Sequence, residues 1–186
     1  MDMNYISFRN MKRSLGVAGE TIFRLKVESV IDPSRAYFNY LNINKTQASA
    51  VTQYSKFDVS LNSKLDDRHL AYFDIKTRTE ECWEFNSAGK YVFKYESVLI
   101  DKKKWEDVIN QPEDVFIVWI SSNGIGVYFF HKSDKAGERW VNKVKLTDRQ
   151  DTRGKKAIDT VHFKLTEFPI KYGWTELNKS IRSVLN

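Results

Sequence analysis

One stretch of the chain decides its fold, and it reads Leu70-Ala71-Tyr72-Phe73-Asp74-Ile75-Lys76. It is an apolar run with the composition of a β-strand. Because side chains alternate along a strand, Tyr72, Asp74 and Lys76 should share one face. A carboxylate and an ammonium group therefore project side by side from a strand built for burial. Removing both from water is unfavourable, so the pair predicts a functional site, with ordinary surface charge as the alternative.

A second strand is predicted at residues 56–61, where Asp58 alternates with apolar side chains such as Phe57. Residues 62–68 are rich in turn formers, so the two strands should pair as an antiparallel hairpin. If both apolar faces meet one core, Asp58 and Asp74 lie on the same side of the sheet. Neighbouring carboxylates repel unless a cation lies between them, and such oxygen ligands suit Mg²⁺ or Mn²⁺.

A helix that carries Glu20 is predicted before these strands. Gly16, Glu20, Phe23 and Val27 recur at helical spacing, so Glu20 belongs to the stripe that packs against the rest of the protein. Gly16 and Gly19 should allow a close backbone approach at this end of the helix. The alternative is a Glu favoured by the helix dipole near an N-terminus.

Taken together, these residues resemble the PD-(D/E)XK nuclease superfamily, which includes many restriction endonucleases and Holliday-junction resolvases. Its pattern is an acidic residue on a first helix, an Asp on one strand and an acidic residue-x-Lys triplet on the next. The chain matches that pattern in order with Glu20, Asp58, Asp74 and Lys76. Residues 16–20 resemble the start of the first helix in the resolvase-like branch. Phe57 stands where the pattern has Pro, and the second acid is Asp where Glu is commoner.

The resemblance implies a divalent-metal-dependent endonuclease that hydrolyses phosphodiester bonds in DNA. Mg²⁺ or Mn²⁺ would be held by Asp58, Asp74 and the backbone carbonyl of Ile75, with Glu20 acting directly or through water. Lys76 would orient the attacking water and offset charge in the transition state. An RNA endonuclease on the same fold and a non-catalytic nucleic-acid-binding or interaction domain remain as alternatives. Many nucleases of this superfamily cut two strands as homodimers, and the sequence leaves the oligomeric state open.

The charge of the chain favours a polyanionic partner. Its net charge is +6 and its sequence pI is about 9.2. Thr77 and Arg78, directly after the triplet, suit contact with phosphate. The basic residues form clusters, which are Arg9, Lys12 and Arg13; Lys102 to Lys104; and Arg153, Lys155 and Lys156. The last cluster belongs to a polar stretch without apolar periodicity, which predicts a loop that could hold a nucleic-acid backbone.

The expected fold class is α/β, with a mixed central β-sheet flanked by helices, a restriction-endonuclease-like core and extra C-terminal β-strands. The length of 186 residues predicts a single nuclease-like domain. Within it we expect a basic arm at residues 1–15, the core at 16–130, and C-terminal strands and a helix at 131–186. Residues 115–120 form a continuous apolar run, as expected of a central strand covered on both faces.

Composition narrows the protein class further. No run of 18 apolar residues is present, so no membrane span is expected, and the first residues lack the apolar segment of a signal peptide. The single cysteine, Cys82, excludes an internal disulfide bond and fits a reducing compartment. We therefore expect a cytoplasmic protein, with a bacterial, phage or viral origin compatible with the resemblance.

Overall fold

The chain folds around a six-stranded sheet, seen in a computed structural model that describes residues 3–41, 56–132, 160–164 and 171–186. The helices described are α1 (Met3–Val27), α2 (Lys102–Asn110) and α3 (Trp174–Val184). The strands described are β1 (Ala36–Tyr40), β2 (Val59–Ser63), β3 (His69–Arg78), β4 (Trp83–Phe85), β5 (Tyr91–Phe93), β6 (Ser97–Asp101), β7 (Asp114–Ser121), β8 (Val127–His131), β9 (Thr160–Lys164) and β10 (Lys171–Tyr172).

The main sheet has the strand order β1-β2-β3-β7-β8-β10. All neighbouring strands are antiparallel except β3 and β7, which run parallel. A parallel pair needs a crossover connection, and residues 79–113 supply it. This crossover contains β4, β5, β6 and α2, and it brings α2 to one face of the sheet. The predicted α/β class with a mixed central sheet flanked by helices is confirmed, as is the predicted hairpin of β2 and β3.

One face of the sheet packs against α1 and α3. Phe23 and Val27 from α1 and Leu177 from α3 are completely buried in this cluster. They meet the apolar side chains of β3 that alternate with Asp74, including Phe73 and Ile75. The helical stripe predicted from the spacing of residues in α1 therefore forms the core on this side.

The other face packs against α2 and two small sheets, β4–β5 and β6–β9. Trp105 and Val108 of α2 are buried there, together with Trp119 of β7. β7 is buried at seven of its eight positions, which confirms the prediction of a central strand covered on both faces. Asp74 and Lys76 belong to this second face, because they alternate with Phe73 and Ile75 along β3.

The structure corrects two sequence expectations. Residues 3–15, predicted as a basic arm, are the first part of α1, which begins at Met3. Phe57 was expected to share a face with Val59, but it packs on the opposite side, against Tyr72, with their ring centroids 5.0 Å apart. The reason is that β2 begins only at Val59, so strand alternation does not extend back to Phe57.

That the chain forms one nuclease-like domain stays a prediction. No helix in the described ranges is long and apolar enough to cross a membrane.

Candidate active site

Asp74 lies at the centre of the candidate site and is completely buried. Its position in the middle of β3, between two paired strands, removes it from water. Burial by itself raises the pKa of a carboxyl group, because the charged form loses its hydration. Two ammonium groups outweigh that effect, so the pKa of Asp74 is lowered and the group stays ionised.

These ammonium groups belong to Lys76 and Lys104. Lys76 Nζ lies 3.1 Å from Asp74 Oδ1 and 2.8 Å from Oδ2. Lys104 Nζ lies 3.0 Å from Oδ1. Burial lowers the pKa of Lys76, but the carboxylates of Asp74 and Asp58 raise it by more, so its pKa is raised overall. Lys76 is therefore a permanent cation at neutral pH, and 31% of its side chain remains exposed to solvent.

Asp58 stands directly before β2 and reaches across to β3. Its Oδ2 accepts a hydrogen bond of 2.7 Å from the backbone N–H of Ile75. Burial and the neighbouring Asp74 carboxylate raise the pKa of Asp58, while Lys76, the Ile75 N–H and Lys104 act in the opposite direction. The structure thus brings Asp58, Asp74 and Lys76 together, although Asp58 precedes β2 and does not take part in the alternation of that strand.

Glu20 reaches this group from α1. Gly19 makes the approach of the helix possible, because a Cβ at this position would overlap Thr77 Oγ1 and lie 3.2 Å from Thr77 Cβ. Gly16, by contrast, has open space around it and needs no glycine for packing. Burial, with a smaller contribution from the Asp58 charge, raises the pKa of Glu20 to about 7. Its Oε2 is buried and has no hydrogen-bond partner among the residues that the structure describes.

Thr77 and Arg78 have opposite orientations. Thr77 Oγ1 is buried against α1 and has no hydrogen-bond partner, so it does not face the same side as Lys76. The expectation that Thr77 contacts phosphate stays a prediction and gains no support from this geometry, because strand alternation turns its hydroxyl group under the helix. Arg78 alternates onto the face of Asp74 and Lys76, half-exposed, and its Nη1 donates a hydrogen bond to Thr77 O. The cluster of Arg153, Lys155 and Lys156 lies outside the described residues.

Lys104 is the site residue that sequence reasoning missed. It counted only as one member of a basic cluster, although it lies four residues before the buried Val108 of the same helix. That spacing places Lys104 beside the inward stripe of α2 and was the available signal. Its contact with Asp74 depends on the crossover that lays α2 over β3, which the sequence did not reveal.

The donor set fits a hard divalent cation only in part. Asp58 and Asp74 offer carboxylate oxygens, the kind of ligand that Mg²⁺ and Mn²⁺ prefer. Burial, and after it the repulsion by the Asp74 carboxylate, raises the pKa of Asp58, and such a cation would relieve that repulsion. In the described part of the chain, however, no three carboxylate, imidazole or thiol groups converge closely enough to hold a metal ion. The Asp58 charge contributes to the raised pKa of Glu20, but in the described ranges Glu20 does not complete a three-carboxylate cluster.

Comparisons with known proteins add little to this geometry. Neither the family models nor the curated proteins match the sequence. Among solved structures, the chain is similar to D212, a nuclease from a fusselovirus, at 16% sequence identity. The alignment covers 99% of this chain and 95% of that chain, with a TM-score of 0.41. A similarity of this size carries no argument about function, so the assignment below rests on the residues themselves.

Proposed function

We propose that this protein is a divalent-metal-dependent endonuclease that hydrolyses phosphodiester bonds in DNA. The observation that carries the proposal is the buried Asp74, with Asp58 beside it and the half-exposed Lys76 between Asp74 and solvent. A fully buried carboxylate destabilises a fold unless a cation pairs with it. Asp74 is paired with the ammonium group of Lys76, whose side chain solvent can reach. Support for a nucleic-acid substrate comes from the net charge of +6.

In this proposal Asp58, Asp74 and the carbonyl of Ile75 would hold the metal ion, and Glu20 would act through water. When bound, Mg²⁺ or Mn²⁺ supplies Lewis-acid polarisation of the phosphate and lowers the pKa of a coordinated water. Asp58 is held in place by the 2.7 Å hydrogen bond from Ile75 N, so its carboxylate is oriented before any substrate arrives. This preorganisation means that little reorganisation of the protein is needed during the reaction.

Lys76 offsets the negative charge that develops on the phosphate. Its raised pKa keeps it protonated, so it serves as a hydrogen-bond donor and not as a general base. Asp74 contacts Lys76 Nζ through both carboxylate oxygens and thereby fixes the position of the ammonium group. Arg78, two residues further along the same face, would contact an adjacent phosphate of the same strand.

The testing experiment measures cleavage of plasmid, linear, branched and single-stranded DNA and of matched RNA, with Mg²⁺ or Mn²⁺. Lys76→Met removes the ammonium group but keeps an apolar stem. It should lower the melting temperature, because Asp74 keeps only Lys104 as a partner, so cleavage is compared at a temperature at which both proteins are folded. We expect cleavage to fall by about 10²- to 10³-fold, the usual effect of losing one donor to a developing anion. Lys103→Met is the matched control, because Lys103 is exposed on α2, and it should cut at the wild-type rate.

Three outcomes redirect the proposal. Wild-type cleavage by the Lys76→Met protein would make Lys76 a surface charge and remove the main support for a nuclease. Cleavage of RNA in preference to matched DNA would favour the RNA endonuclease. Tight DNA binding without any cleavage would favour a non-catalytic binding domain, a candidate consistent with the absence of a three-carboxylate cluster in the described ranges.

A further inference from the structure

Asp74 has a cation on each side before any metal ion is considered. Its Oδ1 lies within 3.1 Å of both Lys76 Nζ and Lys104 Nζ, and its Oδ2 lies 2.8 Å from Lys76 Nζ. A carboxylate oxygen has two lone pairs, so the two ammonium groups take up the acceptor capacity of Oδ1. A divalent cation that binds at Oδ1 must therefore displace one of these ammonium groups, and one that binds at Oδ2, where Lys76 alone is in contact, is repelled by both of them.

Lys104 is the group able to withdraw. Lys76 lies on the same strand as Asp74 and contacts both carboxylate oxygens, whereas Lys104 comes from α2 and contacts Oδ1 alone. Lys104 has other partners as well. Its Nζ also donates a hydrogen bond to Lys56 O and lies 5.4 Å from the centroid of the Phe57 ring. Its side chain is 23% exposed, so water can hydrate the ammonium group when it leaves Asp74.

We infer that Lys104 is a built-in competitor of the divalent cation at Asp74. This inference rests on the proposed metal-dependent function and adds a determinant of metal affinity to it. In the metal-free protein Lys104 neutralises the buried carboxylate and stabilises the fold. Metal binding replaces one cation by another, so the buried Asp74 is never left with Lys76 as its only partner. The affinity for metal is reduced by the free energy of the contact that Lys104 gives up.

The same contacts link the site to the segment that leads into Asp58. Lys56 Nζ forms an ion pair of 3.1 Å with Asp107 Oδ1, so α2 holds residues 56 and 57 at two points. Withdrawal of Lys104 from Asp74 leaves the ion pair between Lys56 and Asp107 in place, so the segment before Asp58 stays tied to α2 while the partner of Asp74 changes.

The test is a titration of the full-length protein with Mn²⁺, followed by thermal unfolding and by calorimetric binding. Lys104→Met should lower the melting temperature without metal, because Asp74 loses a partner. It should also tighten Mn²⁺ binding about tenfold, as expected when a competing charge-assisted hydrogen bond is lost. Lys103→Met is the control, since it removes the same charge from the exposed face of α2, and its Mn²⁺ affinity should change by less than about twofold. Lys104→Gln serves as a second variant if Lys104→Met does not fold.

The outcomes separate this inference from the proposed function. Tighter Mn²⁺ binding by the Lys104 variant, or binding by the variant alone, supports competition at Asp74. Equal or weaker binding by the variant, with a wild type that does bind Mn²⁺, overturns the role of Lys104 and leaves the metal-dependent function standing. Absence of Mn²⁺ binding by both proteins overturns the competition and the proposed metal-dependent function together.

Discussion

At the scale of single residues, the site consists of carboxyl groups in three different electrostatic states. Asp74 is fully buried yet ionised, because two lysines face it. Asp58 has a raised pKa, because it is buried and faces the Asp74 charge. Glu20 has a pKa of about 7, because it is buried and, to a smaller extent, because it faces the Asp58 charge. The difference follows from the position of Lys76 and Lys104, which lie beside Asp74 and not beside Glu20.

Glu20 should make the stability of the protein depend on pH. Its pKa rises from the usual 4.5 to about 7 on folding, so ionising it disfavours the folded state. The free energy of unfolding should therefore fall as the pH rises from about 4.5 through 7. Glu20→Gln removes this penalty. Denaturant unfolding with a chelator present should show the variant about 1–2 kcal/mol more stable at pH 8, after allowing for the half-exposed position of Glu20, and nearly equal at pH 4.

The control for that measurement is Glu28→Gln. Glu28 lies just beyond the same helix, is exposed and pairs with Arg24 at 2.6 Å. It should show no gain in stability between pH 4 and pH 8. A Glu20→Gln protein that tracks the wild type at both pH values would show that the carboxyl group of Glu20 is not disfavoured by folding.

At the scale of elements, the contact of α1 with β3 positions Glu20. The contact point is Gly19, where the helix backbone lies against Thr77 and Ile75 of the strand. Phe23 and Val27, one and two turns further along α1, are buried against the same face of the sheet. A side chain at Gly19 would push α1 away from β3 and carry Glu20 away from Asp58.

Gly19→Ala should destabilise the protein by about 2 kcal/mol, because the added methyl group overlaps a β-branched side chain that cannot turn aside. Thr77→Ala in the same protein removes the overlapping Oγ1, which has no hydrogen-bond partner, and should restore most of the loss. Gly16→Ala is the matched control. It has open space and should stabilise the helix by up to about 1 kcal/mol. Additive effects of the Gly19 and Thr77 substitutions in denaturant unfolding would contradict a direct contact.

At the scale of the whole molecule, the mixed sheet separates two cores and carries the candidate site on one face. The parallel pairing of β3 with β7 forces a crossover, and that crossover delivers α2 with Lys104 to Asp74. Glu20 approaches from the opposite layer, through α1. Asp58 faces both layers, because it stands directly before β2, where the side chains do not yet alternate as they do along the strand.

Nucleic-acid affinity is also a property of the whole molecule, and it should fall steeply with salt. Replacing Arg153, Lys155 and Lys156 together by Ala should reduce the slope of log affinity against log salt by about 2 to 3, if each residue neutralises one phosphate. Fluorescence anisotropy with labelled DNA at several salt concentrations measures the slope. An unchanged slope would show that these residues do not contact the backbone.

The control for the salt experiment removes the same charge elsewhere. Lys64, Arg68 and Lys179 are exposed, and the first two lie in the turn at the opposite end of β2 from Asp58. Their combined replacement by Ala should leave the slope nearly as in the wild type. A reduction equal to that of the first triple variant would mean that net charge alone governs binding.

The sequence by itself determined β3, the two faces of this strand and the pairing of Asp74 with Lys76, because strand alternation is a local property of the backbone. It also predicted the helical stripe that includes Glu20 and Phe23. Only the tertiary structure decided the partner of Asp74 from α2, the burial of Thr77 and the reversed side of Phe57. Those features depend on where α1 and α2 cross the sheet and on the residue at which β2 begins. Packing between elements that are distant in sequence sets both the crossing positions of these helices and the first residue of β2. No local pattern of residues encodes that packing.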